Sequence, residues 1–368
     1  MPWLPRHTFL DWPEDKNQLP VDEVIKMYES GFAGAKFSQD ALDQFAADQP
    51  EPDGEAVARK YGLADTGAGK LVIPYVFVME MFPGCYPGPA QERGDCVSHG
   101  AKNASLITMC CDIVSGLPDE KTGKPEQPPE VSEEGIRNGV LSSEAFYWHR
   151  GYNGDGWMCA AAANVATKKS GLFVRKNYPE LGVDLTKYSG RNAGLYGSRA
   201  PGAEIQKVGS EHLIHAATEV TTFESRRDFA YNGFGLIDCG GEGYSDRRDE
   251  NGVSVQSGSW AHSMCEIGVD DRDVIKQKYG QPLVLIMNSW GNWNSGGRDI
   301  YQSSALVPSD KKDLWVQRGI VNASTGNIMI PEGSFWAKWS HVKNREVFAF
   351  NGALGWAKKE LPWLQVWV

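Results

Sequence analysis

Apolar residues recur at three- and four-residue intervals in "LPVDEVIKMYESG", "SQDALDQFAAD" and "PEPDGEAVARKYG". With Asp or Ser near the first two starts and Gly31 closing the first, these stretches predict three short helices before about residue 70. The next run, "LVIPYVFVMEMF" (71–82), is apolar almost throughout and carries only Glu80 as a charge. It is too short for a membrane helix, which needs roughly 20 residues, and reads as a buried strand. Gly/Pro loops follow in "MFPGCYPGPAQERGDC", and then "CVSHGAKNASLITMCCDIV". Here Ala101, Ala104, Ser105 and Thr108 share a face, which predicts a helix able to lie close against a neighbour. Residues 116–135 form a polar, Pro-rich loop. "LSSEAFYWHRGYNGDGWMCAAAANVATKKSG" predicts a helix, a Gly-rich turn and an Ala-rich helix ended by Gly171.

The second half changes character. "TTFESRRDFAYNG" predicts a helix with Thr221 and Glu224 at capping-box spacing and Asn232-Gly233 at its end. "FGLIDCGG", "SWAHSMCEIGVDD", "QPLVLIMNSWG" and "GSFWAKWSHV" predict strands. No repeat or low-complexity tract is present. Helices first and strands afterwards predict an α+β fold with two lobes.

Composition narrows the function classes. The chain has 368 residues, 41% hydrophobic and 23% charged, enough for a sizeable core. A net charge of −10 argues against a nucleic-acid footprint, which would need a basic face. The N-terminal charges and prolines do not form a secretion signal, so a cytoplasmic setting, no membrane contact and mostly free thiols are expected of the seven cysteines. The sequons at Asn103 and Asn322 are then incidental. "ADTGAGKL" lacks the first Gly and the metal-binding hydroxyl of a phosphate loop and precedes a strand. The pair His212 and His215 has no further ligand at metal spacing, "DRRDENG" has Arg247 where a calcium loop needs Asp, and no Cys-x-x-Cys exists. No cofactor and no metal are expected.

One stretch remains to be accounted for, "QERGDCVSHG" (91–100). Cys96 stands where the central helix should begin, and a helix N-terminus with a nearby imidazolium lowers a thiol's pKa from about 8.5 by several units. Among seven histidines, His262 is the best partner, at the head of a strand and after small residues. Pairing 264–269 with 283–287 about a turn near residues 275 and 276 would set Asn288 opposite His262, Cα atoms roughly 4.5–5.5 Å apart. A carboxamide there would hold the imidazole in one tautomer, and Trp290 would shield that bond from water.

The order Cys, His, Asn in "QERGDC", "AHSM" and "NSWGNW" resembles the papain-type cysteine peptidases. "LSSEAFYWHRGYNGDGWMCAAAANV" is similar to the family's cleft-lining segment, and "GSFWAKWS" to the strand after the Asn motif. The resemblance implies Cys96 as nucleophile, His262 as base and then acid, and Asn288 as its orienter. It implies Gln91 as oxyanion donor beside the Cys96 backbone N–H, with Gly154 and Gly156 bordering the groove for an extended peptide. Trp260 and Ala261 would help shape the pocket. The chain departs from the family at several points: Gln91 lies five residues before Cys96 where six are usual, Val97 replaces an aromatic residue, and Tyr152 and Asp155 stand where the disulfide beside the site would need cysteine. His262 and Asn288 also lie farther along the chain than the usual span of about 130–150 residues, with a long insertion from Asn294 to about Pro331.

The expected architecture is a two-lobed papain-like α+β fold: an N-terminal helical extension (1–82), a helical lobe with the nucleophile (83–190), a β-rich lobe with His262 and Asn288 (191–345) and a C-terminal tail (346–368). The expected function is hydrolysis of a peptide or isopeptide bond in a peptide or protein substrate through a thioester. Acyl transfer to an amine by the same residues is a further option. The alternative is a structural or binding protein of the same fold within a larger assembly, for instance a virion, whose contacts hold the termini. That reading draws on an N-terminal region unlike the family's inhibitory pro-segment and on the long insertion.

Overall fold

The computed structural model describes residues 66–116, 127–151, 154–168, 172–199, 202–210, 213–214, 216–293 and 299–351. The three helices expected before residue 70, residues 117–126 of the Pro-rich loop, Gly171 and Tyr152 lie outside them. The described helices are α1 (Tyr75–Met81), α2 (Cys96–Val114), α3 (Glu133–Arg137), α4 (Ser143–Tyr147), α5 (Cys159–Lys168), α6 (Gly190–Gly197), α7 (Ala203–Gly209), α8 (Phe223–Tyr231), α9 (Asp273–Tyr279), α10 (Lys312–Gln317) and α11 (Trp339–Val342). The strands are β1 (Leu71–Val72), β2 (Asn177–Tyr178), β3 (Val183–Asp184), β4 (Ala216–Glu219), β5 (Gly235–Arg248), β6 (Ser254–Asp270), β7 (Leu283–Met287), β8 (Ser334–Lys338) and β9 (Glu346–Asn351).

An antiparallel sheet runs in the order β4-β9-β5-β6-β7-β8, with β1 added along the far end of β6. β2 and β3 form a separate ribbon. The ribbon shares a small apolar cluster with the α4 region, built from Ala145, Trp148, Phe173, Tyr178, Val183 and Leu185. The main core lies between the sheet and α2. The architecture is α+β with two unequal packed regions.

Three sequence expectations are corrected by the backbone. The 71–82 run is a strand only at Leu71–Val72; Pro74 takes φ −61° and opens α1. A run apolar at every position carries no period, so strand and buried helix look alike in it. The cap of α8 is Thr222 with Ser225, one residue beyond the expected Thr221–Glu224 pair. Residues expected to begin a C-terminal tail are β9, whose Val347, Phe348, Ala349 and Phe350 are all buried. A strand buried on both faces reads as a continuous apolar run, and β9 sits between β4 and β5.

The helix α2 is buried nearly all round, and its small residues set how close it lies to the sheet. A Cβ on Gly100 would come within 2.7 Å of the Met264 carbonyl oxygen and 2.9 Å of Ser263 Oγ. One turn on, a Cβ on Gly235 of β5 would overlap the Ala104 backbone. Thr108 then donates to the Phe350 carbonyl at 2.8 Å and accepts from the Gly235 N–H at 3.0 Å. Backbone-to-backbone packing of this kind leaves no room for a larger side chain.

The thiols are not all free. Cys159, at the start of α5, and Cys239 of β5 form a disulfide, Cα atoms 6.5 Å apart and 80 residues apart in sequence. Cys85, Cys96, Cys110, Cys111 and Cys265 are buried and take part in no disulfide. Ser263 Oγ lies 3.4 and 3.5 Å from the two sulfurs, so the bridge joins α5 to the sheet beside His262. Replacing both Cys159 and Cys239 by Ser should lower unfolding free energy by about 4 kcal/mol on the loop-entropy account. Urea titration of the double variant against the parent, both without reductant, measures it.

Candidate active site

The loop leading to Cys96 and the segment that follows β7 meet edge to edge. Ala90 and Trp290 form an isolated antiparallel bridge, and the Gln91 N–H donates to the Ser289 carbonyl at 2.8 Å. On the other side, α2 begins at Cys96 and packs Gly100, one turn later on the same face, against Ser263 and Met264 of β6. His262 is the next residue along that strand. Gln91 is thereby tied to the segment of Asn288, and Cys96 opens the helix whose next turn packs beside His262. All four are buried, Cys96 at 0%, His262 and Asn288 at 1% and Gln91 at 3% exposure.

The protonation pattern of the His–Asn pair follows from the backbone. Asn288 Oδ1 lies 2.7 Å from His262 Nε2 and also 2.7 Å from the Ser289 backbone nitrogen. A backbone N–H can only donate, so the Asn288 atom facing it must be the oxygen. The same oxygen faces Nε2, which must then carry a proton and donate. In the neutral ring this leaves Nδ1 as the basic nitrogen. Trp290 stacks on the imidazole, centroids 4.7 Å apart and planes 25° apart. Trp260 approaches Trp290 at 4.7 Å, and Trp293 stands 5.3 Å from Trp260. The three indoles thus pack on one another beside the imidazole.

The ladder that brings Asn288 here differs in detail from the sequence expectation. The expected register pairs Cys265 with residue 285, whereas Cys265 pairs with Met287. The connection is α9, with no tight turn, and a bulge lies between Glu266 and Gly268. The displacement at Cys265 is two residues, and an even shift keeps each side chain on its face of the sheet. Asn288 thus still reaches His262.

Gln91 is held by two bonds of its own amide. Ser289 Oγ donates to Oε1, and Nε2 donates to the Arg93 carbonyl at 2.8 Å. That leaves Nε2 one further N–H, while in the first turn of α2 the Ser98 N–H turns back to the Asp95 carbonyl at 2.9 Å. Ser289 is the residue that sequence reasoning missed. Its amide, carbonyl and hydroxyl all bind site residues, and its only signal is its place directly after Asn288.

Of the expected groove residues, Trp260 and Ala261 are buried within β6, which begins at Ser254, so His262 stands mid-strand and not at a strand's head. Gly154 is exposed with φ +93°. Gly156 is buried, its N–H donates to the Gly94 carbonyl at 2.8 Å, and its carbonyl accepts from Arg150 at 3.0 Å. Its backbone N–H is thus engaged within the chain, so it is Gly154 that faces outward.

A second histidine cluster lies at the start of α2, around Asp95 and His99. Asp95, the N-cap residue of α2, accepts from Tyr188 OH at 3.0 and 3.2 Å, and burial raises its carboxyl against the pull of His99. His99 Nε2 is 3.6 Å from Asp95 and 3.3 Å from Ser143 Oγ. Both partners meet the same ring nitrogen, which cannot relay a proton between them, and all three side chains are buried. This is a structural cluster, not a serine triad.

No group of His, Cys, Asp and Glu side chains among the described residues could hold a metal ion, and no described helix is long and apolar enough to cross a membrane. No family model matches the sequence, and no curated protein sequence matches it. Solved structures do show a likeness. Xylellain, a cysteine protease from Xylella fastidiosa, is 13% identical, with 96% of this chain and 98% of that chain covered and a TM-score of 0.43. Digestive procathepsin L 3 of Tenebrio molitor larval midgut is 12% identical over 90% of this chain and 87% of that one, TM-score 0.35. Procathepsin B S9 from Trypanosoma congolense is 9% identical over 90% and 96%, TM-score 0.38.

Proposed function

We propose that this chain is a papain-type cysteine peptidase that hydrolyses a peptide or isopeptide bond. The observation that carries the reading is the His262–Asn288 bond, with its donor direction dictated by the Ser289 amide. It leaves a basic Nδ1 on a ring that is clamped and covered by Trp290, which is what a general base for a thiol requires. In the proposed reaction His262 takes the Cys96 proton and the thiolate attacks the substrate carbonyl carbon. The carbonyl π electrons move to oxygen, where the Cys96 N–H and the remaining Gln91 amide N–H stabilise the oxyanion. Collapse breaks the C–N bond as His262 returns the proton to the leaving amine. Water, deprotonated by His262, then attacks the thioester, releasing the acid and regenerating the thiol.

The positioning role of Asn288 has a measurable consequence. Asn288→Ala removes the acceptor from Nε2–H, and kcat for a fluorogenic peptide should fall on the order of 10²-fold. KM should change little, since Asn288 is buried behind the ring. An unchanged kcat would refute the role.

A second reading is favoured by one observation, the 0% exposure of Cys96. On that reading the chain keeps the fold as a binding or structural protein and turns over little. Alkylation of Cys96 separates the two, as the first expected result in the Discussion sets out.

A further inference from the structure

Arg93 lies between Gln91 and Cys96, and its two ends do different things. Its carbonyl accepts from Gln91 Nε2 and from the Asp95 N–H, both at 2.8 Å. Its guanidinium points the other way, to the loop bearing Gly154. Nε donates to Asp155 Oδ1 at 2.8 Å, Nη2 reaches the same oxygen, and Nη1 donates to the Gly190 carbonyl at 3.3 Å. The helix α6 is cut away to admit it: a Cβ on Gly194 would overlap Nη1, and one on Gly190 would collide with Glu92. Glu92 in turn accepts the Gly190 N–H at 2.8 Å.

The Gly154–Gly156 loop needs such an anchor. Gly151, Gly154 and Gly156 all have positive φ, at 74°, 93° and 86°, and offer no side chain to pack. Arg150 binds the Gly154 and Gly156 carbonyls and so holds the loop's shape from within. The Gly156 N–H bond to the Gly94 carbonyl and the Arg93–Asp155 pair tie it to the loop leading to Cys96. The pair's side chains are 24% and 29% exposed, so salt reaches them.

We propose that Arg93 is a positioning residue whose ion pair with Asp155 holds the peptide-binding edge at Gly154 in place against the Cys96 loop. The inference rests on the peptidase reading, with Gly154 as the edge on which an extended substrate lies. Arg93 and Asp155 act on how substrate is held, not on the thiol itself.

The test compares two alkylating probes on the full chain, a peptide-bearing epoxide and iodoacetamide, in the parent, Asp155→Asn, Arg93→Met, the double variant and Asp155→Glu. The peptide-bearing probe should react with Cys96 about fivefold more slowly in Asp155→Asn and Arg93→Met, with the iodoacetamide rate unchanged and peptide KM raised by a like factor. The double variant should be no worse than Arg93→Met alone, Asp155→Glu should recover most of the loss, and melting temperatures should stay level. Parent probe selectivity retained in both single variants, additive losses, or equal slowing of both probes would overturn the proposal. A parent Cys96 inert to both probes would overturn the peptidase reading and this inference together, whereas a reactive Cys96 indifferent to the substitutions removes this inference alone.

Discussion

Cys96→Ala is expected to reduce peptide hydrolysis to background, a loss of at least about 10⁴-fold. In the parent, iodoacetamide near neutral pH should modify Cys96 well ahead of the other free thiols. Burial pushes the Cys85 thiol up to about 11 and raises those of Cys110 and Cys265 well above the ordinary range. Those groups remain protonated at pH 7, and a protonated thiol is a poor nucleophile. Cys96 differs in beginning a helix of 19 residues. His262→Ala should erase its advantage, because the base has gone while the fold around Trp290 and Asn288 retains its cover. Peptide mapping of the adducts reads the outcome. If Cys96 labels no faster than Cys85 in the parent, the binding-protein reading prevails.

The largest stability loss is expected from Arg345→Met. Arg345 is fully buried beneath the His262 strand. It pairs with Asp238 and Glu242 and donates to the His262 carbonyl at 3.1 Å. Gly240, the register partner of His262, leaves the space through which its side chain passes. Removing one member of a buried pair strands the other, which typically costs about 3–5 kcal/mol. The pH dependence has a definite sign. Burial, and after it the attraction of Arg226 and the repulsion of Asp238, set the Glu266 carboxyl at about 8. Asp238 Oδ2 and Glu266 Oε2 each lack a donor as bare carboxylates, and a proton on Glu266 satisfies both. Its folded value exceeds the unfolded one of about 4.3, so the folded state binds the extra proton and this group's contribution falls as pH rises from about 4.3 towards 8. Arg345→Met should therefore be more damaging at pH 9 than at pH 6. Denaturant unfolding at both values, with the slope checked for two-state behaviour, measures it; equal losses would exclude the shared proton.

Much of this arrangement was legible in the sequence. The start of α2 at Cys96, the strand through His262 and the strand before Asn288 follow from period, small-residue faces and loop composition, which are local properties. The register between β6 and β7 differs from the expected one because α9 and a bulge occupy the stretch predicted as a turn, and neither leaves a periodic mark. The Cys159–Cys239 bridge was not foreseen because partners 80 residues apart are joined only by the fold. Ser289, Arg93 and Arg345 act through single hydrogen bonds or ion pairs to distant backbone, which no spacing rule encodes. Gly156 was expected at the groove edge beside Gly154, but one residue decides which of two glycines turns outward.

The site's control over its imidazole is carried by Ser289's main chain, while its grip on Gln91 depends partly on that residue's hydroxyl. In the proposed reaction, drift at position 289 would therefore loosen the Gln91 carboxamide meant for the developing negative charge while leaving the ring's tautomer intact, since every residue except proline supplies the same amide. On that proposal, proton management is buffered against substitution there, and charge stabilisation is the more fragile inheritance.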